Sequence, residues 1–358
     1  KYLWIKIMAY SSIAKPTDYF NTVLYSGTGS SNSVTGVGFQ PDWVWIKQRN
    51  GVTNHFVYDG VRGVQETLYT TSTGAQATQS QGLTAFGTDG FTVGTNTGVN
   101  GAGGTGGTYV AWNWLAGNST SSNSSGDLTS TVSVNQTAGF SICQWTSSDT
   151  GFVKTVGHGL GVKPDWILWK STSRTVDWIT FHVSTGKDKN AGWLNATSGA
   201  SNQNYWGNTE PTSTVFSTEG ATEDSGTNIA YCFAEKKGYS KFGSYTGSGD
   251  ADGPFVYTGF LPAFVLIKST ASSTNWPIID NKRPGYNPAN AADFVMFANT
   301  DSAESSSSTR GADFNSNGFK IRGTNNDVNG TSEIIYMAFA KNPFVGNDSG
   351  TAVPVTAG

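Results

Sequence analysis

Three stretches of this chain carry one pattern, the pattern of a strand buried on both faces. Gly38-Phe39-Gln40-Pro41-Asp42-Trp43-Val44-Trp45-Ile46-Lys47 returns as Gly161-Val162-Lys163-Pro164-Asp165-Trp166-Ile167-Leu168-Trp169-Lys170 and as Gly259-Phe260-Leu261-Pro262-Ala263-Phe264-Val265-Leu266-Ile267-Lys268. Each copy has a Pro, one spacer, four large apolar residues and a Lys. Pro costs little just before a strand, where its missing N–H is not needed by the ladder, and it holds the preceding residue extended. Four consecutive apolar side chains leave neither face of the strand polar. The Lys is expected to end the strand at a wet rim, its stem lying along apolar surface. A pattern that recurs three times outweighs any single window, so the chain is read as a repeat.

The surrounding residues keep step. Twelve residues after each Lys come Asp59, His182 and Asp280, each preceded by an apolar run. That spacing suits a hairpin with an antiparallel partner strand. Asp59/Arg62 and Asp280/Arg283 repeat as Asp-x-x-Arg, with Gly63 and Gly285 close behind; they read as charge-assisted pairs clamping a turn. Phe86 to Phe91 and Phe314 to Phe319 share Phe-x-x-x-Gly-Phe, a hairpin signal that the middle third lacks. Each third closes on a small-residue/aromatic run, taken as ending at Trp112, Phe233 and Phe339. These matches predict an all-β chain of three tandem, diverged β-sandwich (jelly-roll-like) units. The boundaries are a lead-in at 1–18, a first unit at 19–117, a flexible Ser/Asn/Gly/Thr linker at 118–130, a second and most diverged unit at 131–237, a third at 238–344 and a tail at 345–358.

Composition sets limits. With 12 Trp, 14 Tyr and 20 Phe the chain can bury a large core despite its polar loops. A net charge of −3 without a basic block argues against nucleic acid as a partner. No run approaches the length of a membrane-spanning helix. The opening Lys1 to Met8 is a poor signal peptide, and Met8-Ala9-Tyr10 reads as a natural start. Cys143 and Cys232 make no disulfide framework and are expected as a buried free pair.

The run Asp18-Tyr19-Phe20-Asn21-Thr22, with Tyr25-Ser26-Gly27, Gly38 to Lys47, Asp59-Gly60-Val61-Arg62-Gly63 and Asp89-Gly90-Phe91, resembles a repeat module of virion structural proteins of marine tailed bacteriophages, of the tail or tail-fibre type. Ala340-Lys341-Asn342-Pro343-Phe344 resembles that family's closing motif. The resemblance is close over residues 18–117 and looser over 239–344. It implies a non-enzymatic virion protein, located on the extracellular particle and homo-oligomeric. Other virion subunits, and by extension host surface glycans, would be its partners. The alternatives are a secreted or surface glycan-binding protein and, third, a polysaccharide depolymerase.

Residue by residue, little supports catalysis. His55, His158 and His182 lack zinc-site spacing and read as structural. No cofactor is implied. Asp250 and Asp252 begin like a calcium loop but lack its distal ligands, so a solvated turn is the better reading. Trp178 and Trp276 share one repeat position and are expected in the core. Trp193, Asn204, Tyr205 and Trp206 lie in the most divergent stretch, residues 186–210. Packing under a long loop is the leading single reading of these side chains, and the functional expectation set beside it is an exposed surface that touches a glycan or a protein partner.

Overall fold

In the computed structural model, which describes residues 11–102, 107–148, 152–219, 225–271, 273–283, 294–343, 345–348 and 351–354, the Pro-started stretches are strands buried on both faces. Trp43 to Ile46, Trp166 to Trp169 and Phe264 to Ile267 are each at most 1% exposed. The start at Met8-Ala9-Tyr10, Gly285 and Phe344 lie outside the described residues.

The first third forms β1 (Phe20–Ser26), β2 (Asn32–Thr35), β3 (Trp43–Gln48), β4 (Phe56–Asp59), β5 (Gly63–Tyr69), β6 (Ala77–Thr78), β7 (Leu83–Gly87), β8 (Gly90–Val93) and β9 (Thr108–Trp114). The middle third forms β10 (Ser121–Asn123), β11 (Ser130–Asn135), β12 (Phe140–Ser147), β13 (Val153–Gly157), β14 (Trp166–Ser171), β15 (Ile179–His182), β16 (Val215–Glu219) and β17 (Gly226–Phe233). The last third forms β18 (Ser240–Thr246), β19 (Asp252–Tyr257), β20 (Phe260–Ser269), β21 (Pro277–Asp280), β22 (Phe294–Phe297), β23 (Ser305–Ser306), β24 (Gly311–Asn315), β25 (Gly318–Arg322) and β26 (Glu333–Pro343). A hairpin of Val345–Asp348 with Thr351–Pro354 follows.

Three six-stranded antiparallel sheets result, in the orders β1-β9-β3-β4-β5-β6, β10-β11-β12-β17-β14-β15 and β18-β26-β20-β21-β22-β23. In each, the strand of the Pro-led apolar run lies between the closing strand and the strand that follows it; in the third copy Pro262 is not ahead of the strand but within β20, at a bulge. The smaller sheets β2-β8-β7, β13-β16 and β19-β25-β24 accompany them. Trp43 pairs with Asp59, Trp166 with His182 and Phe264 with Asp280, as the twelve-residue spacing requires.

Two expectations change. The stretch 118–130 is not a free linker. Ser121–Asn123 pairs with β11, so these polar residues form the edge of the middle sheet. Among the described residues that sheet has no counterpart of β5 and β6, and it reaches six strands from its other side. The closing aromatic of the first third is Trp114, two residues later than the sequence match suggested. Trp43 faces Trp114 just as Trp166 faces Phe233 and Phe264 faces Phe339.

Alternation along each Pro-started strand then decides the core. One face of each large sheet, carrying Trp43 and Trp45, Trp166 and Leu168, or Phe264 and Leu266, enters a single core shared by all three sheets. The opposite faces, with Val44 and Ile46, Ile167 and Trp169, or Val265 and Ile267, form separate outer cores against the smaller sheets. Rings meet across sheets in the shared core: Trp43 and Tyr231 at 4.6 Å, Phe20 and Phe339 at 5.1 Å, Phe233 and Phe339 at 5.9 Å.

Backbone bonds close the seams in a circle. The loop after β3 meets the third sheet through Thr53 N to Asp301 O at 2.9 Å and Glu304 N to Arg49 O at 2.7 Å. The loop after β14 meets the first sheet through Val176 N to Thr73 O at 2.9 Å and Gln76 N to Thr172 O at 2.8 Å. The loop after β20 meets the middle segment through Thr274 N to Thr197 O at 3.0 Å and Ala200 N to Thr270 O at 2.9 Å.

Trp114 sits in the shared core, 4.3 Å from Trp43 and 5.6 Å from Phe264 of another sheet. Trp114→Ala is expected to cost about 3–5 kcal/mol in urea unfolding, whereas Val52→Ser, at a 71% exposed position, stays within about 0.5 kcal/mol. Equal midpoints for the two variants would contradict the placement of the core.

Candidate functional site

The lysines that end the Pro-started strands are not at a wet rim. Lys47, Lys170 and Lys268 are fully buried, because the inward face that carries Trp43 and Trp45, Trp166 and Leu168, or Phe264 and Leu266 also carries the residue two further on. Each ammonium is held by carbonyls of the following loop and, in two cases, of the next seam. Lys47 Nζ donates to Gln48 O at 2.8 Å and Gly51 O at 3.0 Å. Lys170 Nζ donates to Ser171 O at 2.9 Å, Arg174 O at 3.2 Å and Thr73 O of the first sheet's segment at 3.2 Å. Lys268 Nζ donates to Thr274 O at 2.5 Å, Thr274 Oγ1 at 3.0 Å and Thr197 O at 2.9 Å. Burial pulls the three ammonium groups down from the usual lysine range to about 8, about 8 and about 7, with Asp301, Asp177 and Asp327 respectively acting in the opposite direction.

Further along the seams lie the Asp-x-x-Arg pairs. Asp59 Oδ1 accepts from Val61 N at 3.1 Å and Arg62 N at 2.8 Å, while Arg62 Nε donates to Oδ2 at 2.5 Å. Asp280 receives Lys282 N, Arg283 N and Arg283 Nε at 2.9, 3.0 and 2.6 Å. Both pairs are buried, and both carboxylates also serve a neighbouring sheet. Tyr231 Oη donates to Asp59 Oδ2 at 2.7 Å, and Trp112 Nε1 donates to Asp280 Oδ2 at 3.0 Å. His182 holds the matching place in the middle sheet, where burial lowers its imidazole to about 3. Trp178 Nε1 and Trp276 Nε1 donate across seams to Tyr69 O at 2.9 Å and Trp193 O at 3.0 Å. His55 stands at the corresponding position and accepts from Trp45 Nε1 at 2.9 Å. His158 caps a turn through Leu160 N to Nδ1 at 3.2 Å.

The aromatics expected on an exposed surface are placed otherwise. Trp206 is 1% exposed and packs on Trp169, Phe181 and Phe216, and Tyr205 is 9% exposed. Among the described residues the middle third has no hairpin like β7–β8, and these rings fill the outer core. Trp193 is half-buried at the seam, and Asn204 Oδ1 accepts from Asn208 N at 2.7 Å. Asp252 is already paired, with Arg322 at 2.6 Å and Lys320 at 3.1 Å, and the Asp250 carbonyl accepts from Asn329 Nδ2. Cys143 and Cys232 are buried free thiols on neighbouring strands.

One repeated signal escaped the sequence reading. Asn96-Thr97-Gly98-Val99-Asn100-Gly101 matches Asn325-Asn326-Asp327-Val328-Asn329-Gly330. In both, the first Asn caps a four-residue helix, Thr97–Asn100 or Asn326–Asn329. In both, the last Asn knits the surrounding loops, accepting from Thr28 N at 2.9 Å or Ser248 N at 2.8 Å.

Aromatics do stand exposed on the outer sheet of the last third. Phe255 and Tyr257 alternate with buried Val256 on β19 and are 46% and 56% exposed. A Cβ at Gly318, opposite Tyr257, would collide with the Val256 carbonyl, as one at Gly90 would with the Val34 carbonyl, and would also come within 2.9 Å of the Phe255 ring. Beside them Arg322 bridges Asp313 at 2.6 Å and Asp252 at 2.6 Å. In the first third the corresponding strand pairs Val34 with Phe91 as β19 pairs Val256 with Phe319, and Ser33 and Thr35 occupy the outward places. Elsewhere a shallow depression of about 630 Å³ follows β10, lined by residues such as Ser121, Asn123, Val132 and Gln136 and by no aromatic ring.

A family described as Domain of unknown function (DUF7483) matches residues 15–343, and the chain belongs to that family. No curated protein and no solved structure matches it.

Asp59→Ala should cost about 3–5 kcal/mol because it strands Arg62 in the interior, and adding Arg62→Met should restore most of the loss. Equal denaturant midpoints for single and double variants would contradict this. The lysines give a pH test. Their folded pKa values lie below the unfolded value near 10.5, so through these groups the unfolded chain binds more protons above about pH 7, and unfolding free energy rises up to about pH 9, below the range where tyrosines raised by burial act the other way. Urea midpoints at pH 7, 8 and 9 should climb, and Lys268→Met should flatten the rise. A flat or falling profile in the parent chain would contradict it.

Proposed function

We propose that this chain is a non-enzymatic structural component of a tailed-bacteriophage particle, acting by contact at its outer sheets. The observation that carries this reading is where the ionisable groups are used. Buried Lys170 and Lys268 and the two Asp–Arg pairs bond one sheet to the next, whereas the exposed aromatic and charged cluster stands on an outermost sheet. The resemblance of residues 18–117 to virion modules supports the same reading. So does the reading of 19–117, 131–237 and 238–344 as three diverged copies of one unit, since the six seam bonds fall at matching offsets in each. A rigid body built from repeated sheets suits a particle part that must keep its shape while its surface varies.

The test is particle composition. Purified virions analysed by quantitative mass spectrometry should contain the chain at a fixed copy number relative to the major capsid protein. Recovery only in the soluble fraction of the lysate would overturn the proposal.

A further inference from the structure

We infer that the outward face of the β19-β25-β24 sheet is a saccharide-binding platform, with Phe255 and Tyr257 as stacking rings. The inference rests on the reading that the chain works by contact, and it names where and with what.

Several observations converge on this face. The scaffold does not require aromatics there, because the matching strand of the first third carries Ser33 and Thr35 at the same register beside the same inward Val and Phe. The two rings lie two residues apart on one face of a strand, about 6–7 Å along it, with the Phe255 ring beside Gly318. A pyranose offers such a surface its apolar C–H face and turns its hydroxyls outward.

Those hydroxyls would meet Lys320, Arg322, Asp252 and Asp313 on the same surface. These charges are paired among themselves at 2.6 to 3.1 Å, two cations with two anions. A balanced cluster has hydrogen-bond donors and acceptors to offer but little net field, which suits a neutral polyhydroxyl ligand better than a phosphate or an acidic peptide. Size argues the same way. Two half-exposed rings, each burying at most about 150–250 Å², fall well short of the roughly 800 Å² per side of a stable protein interface.

The experiment uses the whole chain, isotopically labelled for NMR, with two probes: laminarihexaose and the lipid-free polysaccharide of bacterial lipopolysaccharide. Backbone amides of Phe255–Tyr257 and Gly318–Arg322 should shift on addition of at least one probe. The variant F255S/Y257T, which installs the residues of the first third, should bind at least tenfold more weakly with an unchanged melting temperature. Y257T alone, the milder change, should weaken binding in the same direction. Absence of shifts with both probes would overturn the inference. So would shifts confined to the Ser121–Gln136 depression, or unchanged binding by the folded variants. Particle composition is a separate measurement, so a virion component that binds neither saccharide overturns this inference and leaves the contact reading standing.

Discussion

The inner face of each large sheet is covered by the other two large sheets. This constraint organises the rest. Trp43, Trp166 and Phe264 open apolar runs that face a common core, and Trp114, Phe233 and Phe339 face them from the closing strands. A strand period of two then commits every second residue to that interior, so Lys47, Lys170 and Lys268 enter it as well. A buried ammonium is tolerated only with its protons bonded, and the carbonyls that bond it belong to the loops that tie one sheet to the next. Burying the lysines and closing the seams are one structural event.

That division leaves function to the outside. Within the seams, buried charge is matched by carbonyls or by a carboxylate, as in Asp59–Arg62 and Asp280–Arg283, and a change to one partner is felt by two sheets. The outer sheets carry no such obligation on their solvent side. There the first third shows hydroxyls, with Ser33 and Thr92 3.3 Å apart, and the last third shows aromatic rings among paired charges. Freedom to vary and exposure to a partner coincide on this surface.

Much of the fold was legible in the sequence because it repeats. The Pro-started strands, their partners twelve residues on and the Phe-x-x-x-Gly-Phe hairpins were fixed by periodicity and spacing, which are local properties. What was misread depended on how sheets meet. A Lys after four apolar residues looks the same at a rim or in a seam, and only the neighbouring sheet's carbonyls decide. Trp206 and Tyr205 looked exposed in a Gly/Asn-rich context, yet they fill the outer core of the middle third, which among the described residues has no such hairpin. The closing aromatic slipped by two because Trp112 and Trp114 both fit the pattern. Phe255 and Tyr257 drew no notice in sequence, since an alternating strand does not announce which face has a cover.

The central claim is that three sheets share one core and fold as one unit. Differential scanning calorimetry of the whole chain tests it directly. A shared core predicts a single transition whose calorimetric and van't Hoff enthalpies agree, a ratio of about one. Separate transitions, or a ratio approaching three, would mean that each sheet pair folds on its own and would contradict the account.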